Sequence, residues 1–135
     1  MGLQFSVDVR NDMLDTIEAT IGTDAILRIY SGSKPASAAD AATGTLLAEM
    51  TLPTDWMDAA ASGAKAKAGT WSDATANATD TAGYFRVLDS TGTTTGIQGE
   101  CTDTGGAGPM KLSTTSIVSG QPVTIASFTL TAGNP

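Results

Sequence analysis

Apolar residues recur at every fourth position between Ser6 and Gly22: Val9, Met13, Ile17 and Ile21, with Leu14 beside them. That spacing predicts one amphipathic helix with an apolar stripe. Ser6 or Asp8 is placed to cap its start, and Asp8 and Asp12 lie where the helix dipole favours anions. Gly22 is placed to stop it. The other face, Asp8, Arg10, Asn11, Asp12, Asp15 and Glu18, is expected to be solvated or to meet a partner. Such a helix either covers an open face of the body or docks on a neighbouring subunit.

Beyond Gly22 the period changes from about four to two. Ala25 to Tyr30 predicts a first strand, and Ser31 to Gly44, which has no periodicity, predicts a long loop. Loops of this length in compact domains are functional or packed on another element. Thr45 to Leu52 alternates cleanly, with Leu46, Ala48, Met50 and Leu52 on one face, and Pro53 ends it. Thr54 to Ala61 predicts a short helical turn capped by Thr54, with Trp56 and Met57 over the end of the body. Lys65 to Ser72 alternates again, placing Trp71 on the face of Lys65 and Lys67.

Tyr84 to Leu88 is the densest cluster of large and β-branched residues in the second half. With the turn signal from Asp89 to Gly92 and the run Thr95 to Cys101, it predicts a central β-hairpin. Met110–Leu112 and Ser116–Val118 are short candidate strands, and Gly120-Gln-Pro122 turns into the last one. In that last strand, Val123 to Thr131, parity changes between Val123 and Ile125 and then Phe128 and Leu130. One extra residue near Ala126-Ser127 puts both pairs in the core, so a bulge is predicted there. About eight strands predict a mainly β protein, an antiparallel sandwich or jelly-roll-like fold with one N-terminal helix. The whole of 1–135 reads as a single domain: segment and helix 1–22, sandwich 23–131 and tail 132–135.

Composition sharpens this picture. Ala, Thr, Gly and Ser make up about half of the 135 residues, which suits closely apposed strands. At this length a chain buries roughly two thirds of its unfolded surface, so no staples are needed. Seven basic against fourteen acidic residues give a net charge of −7, which opposes binding to nucleic acid or to an anionic membrane. No apolar run is long enough to span a membrane, and no signal peptide is expected. The lone Cys101 forms no internal disulfide and fits a reducing compartment. Met1 to Ser6 matches a short myristoylation pattern, against which stands a plain initiator Met.

Candidate chemistry is sparse. The chain has no histidine, which removes Ser-His-Asp and Cys-His catalysis and histidine metal sites. Cys101 reads as a small buried strand residue rather than a nucleophile. Asp55 with Asp58, and Glu100 with Asp103, are the carboxylate pairs open to a glycosidase reading, but few aromatics are available for sugar stacking. Oxygen side chains between Asp73 and Asp80 resemble a Ca²⁺ loop without its Gly and closing Glu. Asn77-Ala-Thr79 is a sequon, and the Gly-rich Thr104 to Gly108 lacks the ending of a phosphate cradle. No catalytic, cofactor or metal site is therefore expected, and no small-molecule substrate.

Five segments carry a resemblance: Asn11 to Gly22, Gly44 to Ala48, Leu52 to Trp56, Phe85 to Ser90 and Thr115 to Thr124. In this order they resemble small structural proteins of tailed bacteriophages and prophages, most similar to capsid cement, or decoration, proteins. The resemblance implies a virion component that binds the major capsid protein and neighbouring copies of itself on the outer shell. Before assembly its place is the bacterial cytoplasm. Expected partner contacts are Leu3 and Phe5 as apolar anchors, Arg10 and Asp12 on the helix, and Lys34 and Pro35 in the long loop. The C-terminal residues Thr131 to Pro135 are expected to be held by a neighbour in the same way. A neck, collar or tail place in the same particle is the first alternative. A carbohydrate-binding module stacking sugars on Trp56, Trp71 or Tyr84 is the second.

Overall fold

The computed structural model describes residues 2–133; Met1, Asn134 and Pro135, the extreme ends of the two expected anchoring tails, lie outside the described residues. Helix α1 runs Val7–Ile21. Ser6 caps it, its Oγ accepting from Val9 N at 3.2 Å, and Gly22 closes it at φ 94° while its N–H donates to Glu18 O. Of the two candidate caps, Ser6 holds the position.

Nine strands follow among the described residues: β1 (Ile26–Ser31), β2 (Leu46–Thr51), β3 (Ala64–Ala66), β4 (Ser72–Asp73), β5 (Asp80–Leu88), β6 (Thr95–Asp103), β7 (Met110–Leu112), β8 (Ser116–Ile117) and β9 (Val123–Thr131). They form one mixed sheet with the path β2-β1-β5-β6-β7-β9-β3, while β4 pairs with β9 and β8 with β5. The sheet curls until its ends approach. Glu49 N donates to Asp73 Oδ2 at 3.2 Å and Asn77 N to Leu47 O at 2.8 Å, so the chain after β4 covers the free side of β2. The mainly β class with one N-terminal helix is as expected. The pairing, however, traces one curled path and not two separately paired sheets, so a sandwich or jelly roll is not confirmed.

One pair also departs from an all-antiparallel scheme: β6 and β7 run parallel, Cys101 opposite Met110. Parallel neighbours normally need a crossover of a dozen or more residues. Here the Gly-rich 104–109 loop doubles straight back over β6. A Cβ on Gly106 would lie 2.4 Å from Thr102 Cβ, and one on Gly108 2.8 Å from Thr102 Cγ2, so glycine is what lets the backbone lie flat there.

The predicted hairpin is β5–β6, with Phe85 opposite Gly99 and Val87 opposite Ile97. The predicted bulge is present as well: Lys111 pairs with Ser127 and Leu112 with Ile125, leaving Ala126 out of register. The skipped residue returns Val123, Ile125 and Phe128 to one buried side. A second irregularity, between Ile29 and Tyr30, buries Leu47 together with Ala48 and so breaks the strict alternation expected of β2. Trp56, Trp71, Phe128 and Phe85 run through the core as neighbouring rings 5.3–6.0 Å apart.

Two expectations fail. Thr54 to Ala61 forms no helical turn; Thr54 Oγ1 donates to Asp24 Oδ1, and the chain runs extended, with Met57 bridging Lys67. The run from Lys65 to Ser72 is not one strand but β3 and β4, broken where Gly69 takes φ 70°.

Helix α1 is the larger correction. Its face with Asn11, Asp15 and Glu18 turns inward, although it was expected to meet solvent or a partner. These side chains accept from Gly63 N, Ala60 N and Met57 N at 2.9–3.0 Å, stepping along a chain segment that runs antiparallel to the helix. Lys65, only 2% exposed, completes the arrangement: its Nζ lies 2.7 Å from Asp15, 2.9 Å from Asp58 O and 3.0 Å from Glu18. Leu14 and Ile21 bury beside this polar seam, and Ile17 packs partly against the core. Val9 and Met13, half of the predicted apolar stripe, remain exposed.

Two predictions follow from this packing. Phe85 is 1% exposed and stacks edge-on to Phe128, so Phe85→Ala should cost about 3–5 kcal/mol in urea unfolding, and an unshifted midpoint would refute its core role. The second concerns acid. The Asp15 carboxyl is held below its usual range by Lys65 and then by Ala60 N, and Asp89 by the Thr91 hydroxyl and then Thr93 N. Depressed carboxylates stabilise the fold above their unfolded pKa, about 4, and that stabilisation is lost as pH falls through the lower folded value. Burial opposes the charge of Lys65, but its bonds to Asp15 and Glu18 outweigh burial and raise its pKa, so it stays charged through neutrality. Stability should therefore be flat near neutral pH and fall below about pH 4. Asp15→Asn should lower the neutral plateau and blunt the acid fall; an unaltered acid limb would contradict the assignment.

Candidate functional site

Strand β5 is buried on both sides. Phe85 and Val87 face the main core, whereas Tyr84, Arg86 and Leu88 face the other way and are equally covered. Their cover is the long loop between β1 and β2, which lies over the outer face of the sheet as a strap. Both ends of the strap need glycine. A Cβ on Gly83 would meet Gly32 O at 1.9 Å, and one on Gly44, at φ 78°, would meet Ser31 O at 2.1 Å. Polar bonds hold it: Tyr84 Oη pairs with both N–H and carbonyl of Thr43, Thr45 N donates to Ser31 Oγ, and Gln98 Nε2 donates to Pro35 O at 2.8 Å. Tyr30 stacks on Tyr84 beneath it, ring centroids 5.1 Å apart.

Between the strap and the β5–β6 turn lies a cleft of about 740 Å³. Its floor carries Arg28, Tyr30, Arg86 and Leu88, and its walls are residues 37–42 and 92–95. Arg28 sits directly opposite Arg86 in the β1–β5 register, and Arg86 opposite Gln98. Glu49 holds Arg28 through a 2.6 Å contact to Nε, which raises the guanidinium pKa further. Arg86 is 4% exposed; its Nη1 reaches Thr95 Oγ1 at 3.4 Å, while its Nε and Nη2 have no hydrogen-bond partner among the described residues. Neither arginine was singled out from the sequence. The available signal was a charged residue in the middle of two apolar runs, Ile26-Leu-Arg-Ile-Tyr30 and Tyr84-Phe-Arg-Val-Leu88.

The residues expected to contact partners fall into two groups. On the N-terminal segment and α1, Leu3 is 60% exposed and Asp12 is exposed, whereas Phe5 is half-buried. Arg10 turns toward its own chain, Nη1 donating to Ala132 O at 3.3 Å. On the strap, Lys34 is exposed, and Pro35 is half-buried with its carbonyl taken by Gln98. Val9 and Met13 add to the exposed apolar surface of the first group, and Met13 borders a groove shared with Leu14, Ile17 and Ala132.

The remaining candidates are committed elsewhere. Trp56, Trp71 and Tyr84 are each no more than 1% exposed, so none offers an open ring face to a sugar. Asp73 accepts from Glu49 N and Thr75 N, and Asp80 from Thr81 N, which places the Ca²⁺-like stretch in turn and strand-edge bonding. Among the described residues no three His, Cys, Asp or Glu side chains converge as metal ligands. Asp58 lends its carbonyl to Lys65, and Asp103 Oδ1 accepts from Gly105 N. Among the described residues no helix is long and apolar enough to cross a membrane.

No protein-family model, curated protein or solved structure matches this chain.

Cys101 lies in β6, buried, and burial pushes its thiol up to about 12. The thiolate is the reactive form, so a disulfide reagent at about pH 8 should label the folded protein slowly and the urea-unfolded protein at once. Rapid labelling of the folded protein would show that the β6 thiol is open to solvent.

Proposed function

We propose that this protein is a bacteriophage virion structural protein, a capsid cement or decoration protein that binds the major capsid protein and neighbouring copies of itself on the outer shell. The observation that carries the reading is the exposed apolar surface of the N-terminal segment and α1, formed by Leu3, Val9 and Met13. An amphipathic helix normally buries such residues. Here the helix is anchored through its acids, which leaves the apolar residues free for a second surface. The resemblance to phage structural proteins supplies the setting. Many identical sites on a shell let a modest contact act with high avidity.

Met13→Asp tests the surface, because Met13 is half-exposed and is not part of the core. The variant should keep the wild-type melting midpoint and lose sedimentation with capsid shells. Undiminished binding would remove the helix face from the interface. In purified virions, the protein should be present at a copy number comparable with that of the major capsid protein. A copy number equal to one ring of subunits would place it instead in the neck, collar or tail.

A further inference from the structure

We infer that the strapped cleft is a carboxylate-binding site, with Arg86 as its bidentate anchor and Arg28 as a second cation. Arg28 and Arg86 stand directly opposite each other on β1 and β5, an arrangement that destabilises a strand pair when nothing offsets the like charges. Glu49 offsets Arg28. Among the described residues no ion pair involves Arg86. A buried guanidinium without a counter-charge is costly, so the cleft holds one positive charge in need of an anion, within a chain whose net charge is −7.

The free donors select the kind of anion. Thr95 takes Nη1, leaving Nε and Nη2. Those two N–H groups lie along one edge of the planar guanidinium and point the same way, which matches the two oxygens of a carboxylate. The donors of Arg28 at Nε and Nη1 are already directed to Glu49 and Gly92 O, so no second free fork is in place for the extra oxygens of a phosphate.

The strap provides the entrance. It is tied at Pro35 and Thr43, but among the described residues no hydrogen bond joins 36–42 to the sheet. Five of those seven residues are alanine, and the one acid, Asp40, accepts from Ser37 N within its own turn. A carboxylate therefore reaches Arg86 when this segment moves outward. It can be carried by a small free acid or by a protein chain, as an acidic side chain or a C-terminus. The inference stands whether or not the protein belongs to a virion.

The test follows the arginine Nε–H signals of ¹⁵N-labelled protein at constant ionic strength. Sodium acetate represents a free acid, N-acetylglycine a chain end, N-acetylglycinamide its uncharged control, and sodium phosphate the rival anion. One arginine signal, absent in Arg86→Lys, should move saturably with both carboxylates and not with the amide. Affinity should fall roughly tenfold or more in Arg86→Lys, which keeps the charge but loses the fork, and stay unchanged in Lys111→Gln. If Arg86→Lys does not fold, Thr95→Val, which touches only the other edge, identifies the signal. N-acetylglycine binding roughly tenfold tighter than acetate assigns the site to a chain end, and equal affinity to a free acid. Unsaturable shifts shared by all arginines overturn the inference, as does phosphate binding tighter than either carboxylate. So does an Asp40→Asn change that by itself moves the Arg86 signal as far as saturating acetate, because Asp40 is then the counter-ion.

Discussion

The buried ammonium of Lys65 decides how the two parts of this molecule fit together. An isolated lysine in an apolar interior would shed its proton, and a single partner rarely repays desolvation. Lys65 has three acceptors for its three donors: Asp15, Glu18 and Asp58 O. Two of these lie on α1 and one on the chain leading into β3, so the helix is fixed in rotation as well as position. Once Asp15 and Glu18 point inward, Asn11 must follow, being on the same helical stripe, and it meets Gly63 N. Met13 and Val9 then face outward by the same geometry. The exposed apolar surface is thus a consequence of the ionic anchor.

The other organising constraint is the two-sided burial of β5. Its inner residues belong to the common core, but Tyr84, Arg86 and Leu88 need a second cover, which this sheet obtains from a loop and not from a second layer. A loop has few apolar side chains to offer, and this one is rich in Ala and Ser. Its hold is polar: the Tyr84–Thr43 pair, the Ser31–Thr45 pair and Gln98 on Pro35. A cover held at its ends by a few hydrogen bonds opens more readily than a packed layer. That is why the outer face, and not the core side, carries a cleft with arginine donors left over.

Much of this was legible in the sequence where side-chain parity decides. The β5–β6 hairpin and the Ala126 irregularity follow from alternation alone, because Phe128 and Ile125 cannot both be buried without an extra residue between them. The helix limits were legible from Ser6 and Gly22. What periodicity could not reveal was which helix face the body would accept. Hydrophobic spacing identifies an apolar stripe, but Asp15 and Glu18 became inward residues only because Lys65, fifty positions further along, is buried opposite them. The parallel β6–β7 pair was hidden for a related reason: the Gly-rich 104–109 run reads as a flexible loop, and its purpose, lying flat against Thr102, exists only in the fold. The arginine cleft depends in the same way on a register, Arg28 opposite Arg86, that no local pattern encodes.

These placements change what the net charge means. Of the seven cations, Lys65 is enclosed by acids, Arg28 is paired with Glu49, Arg86 is buried, and Arg10 is turned to Ala132 O. Lys67 is directed to Gly69 O and lies over the Trp71 ring. Lys34 and Lys111 are the remaining two. Most of the acids, by contrast, lie on exposed or half-exposed positions, including Asp8, Asp12, Asp55, Asp58, Asp80 and Glu100. The exterior is therefore more uniformly acidic than a charge of −7 spread over all side chains would imply. Long-range attraction toward such a surface favours basic partners and weakens as salt rises, whereas a contact made through exposed apolar residues is screened little by salt. Under the proposed reading, approach and attachment fall to different groups: the acids steer, and the exposed Leu3, Val9 and Met13 hold.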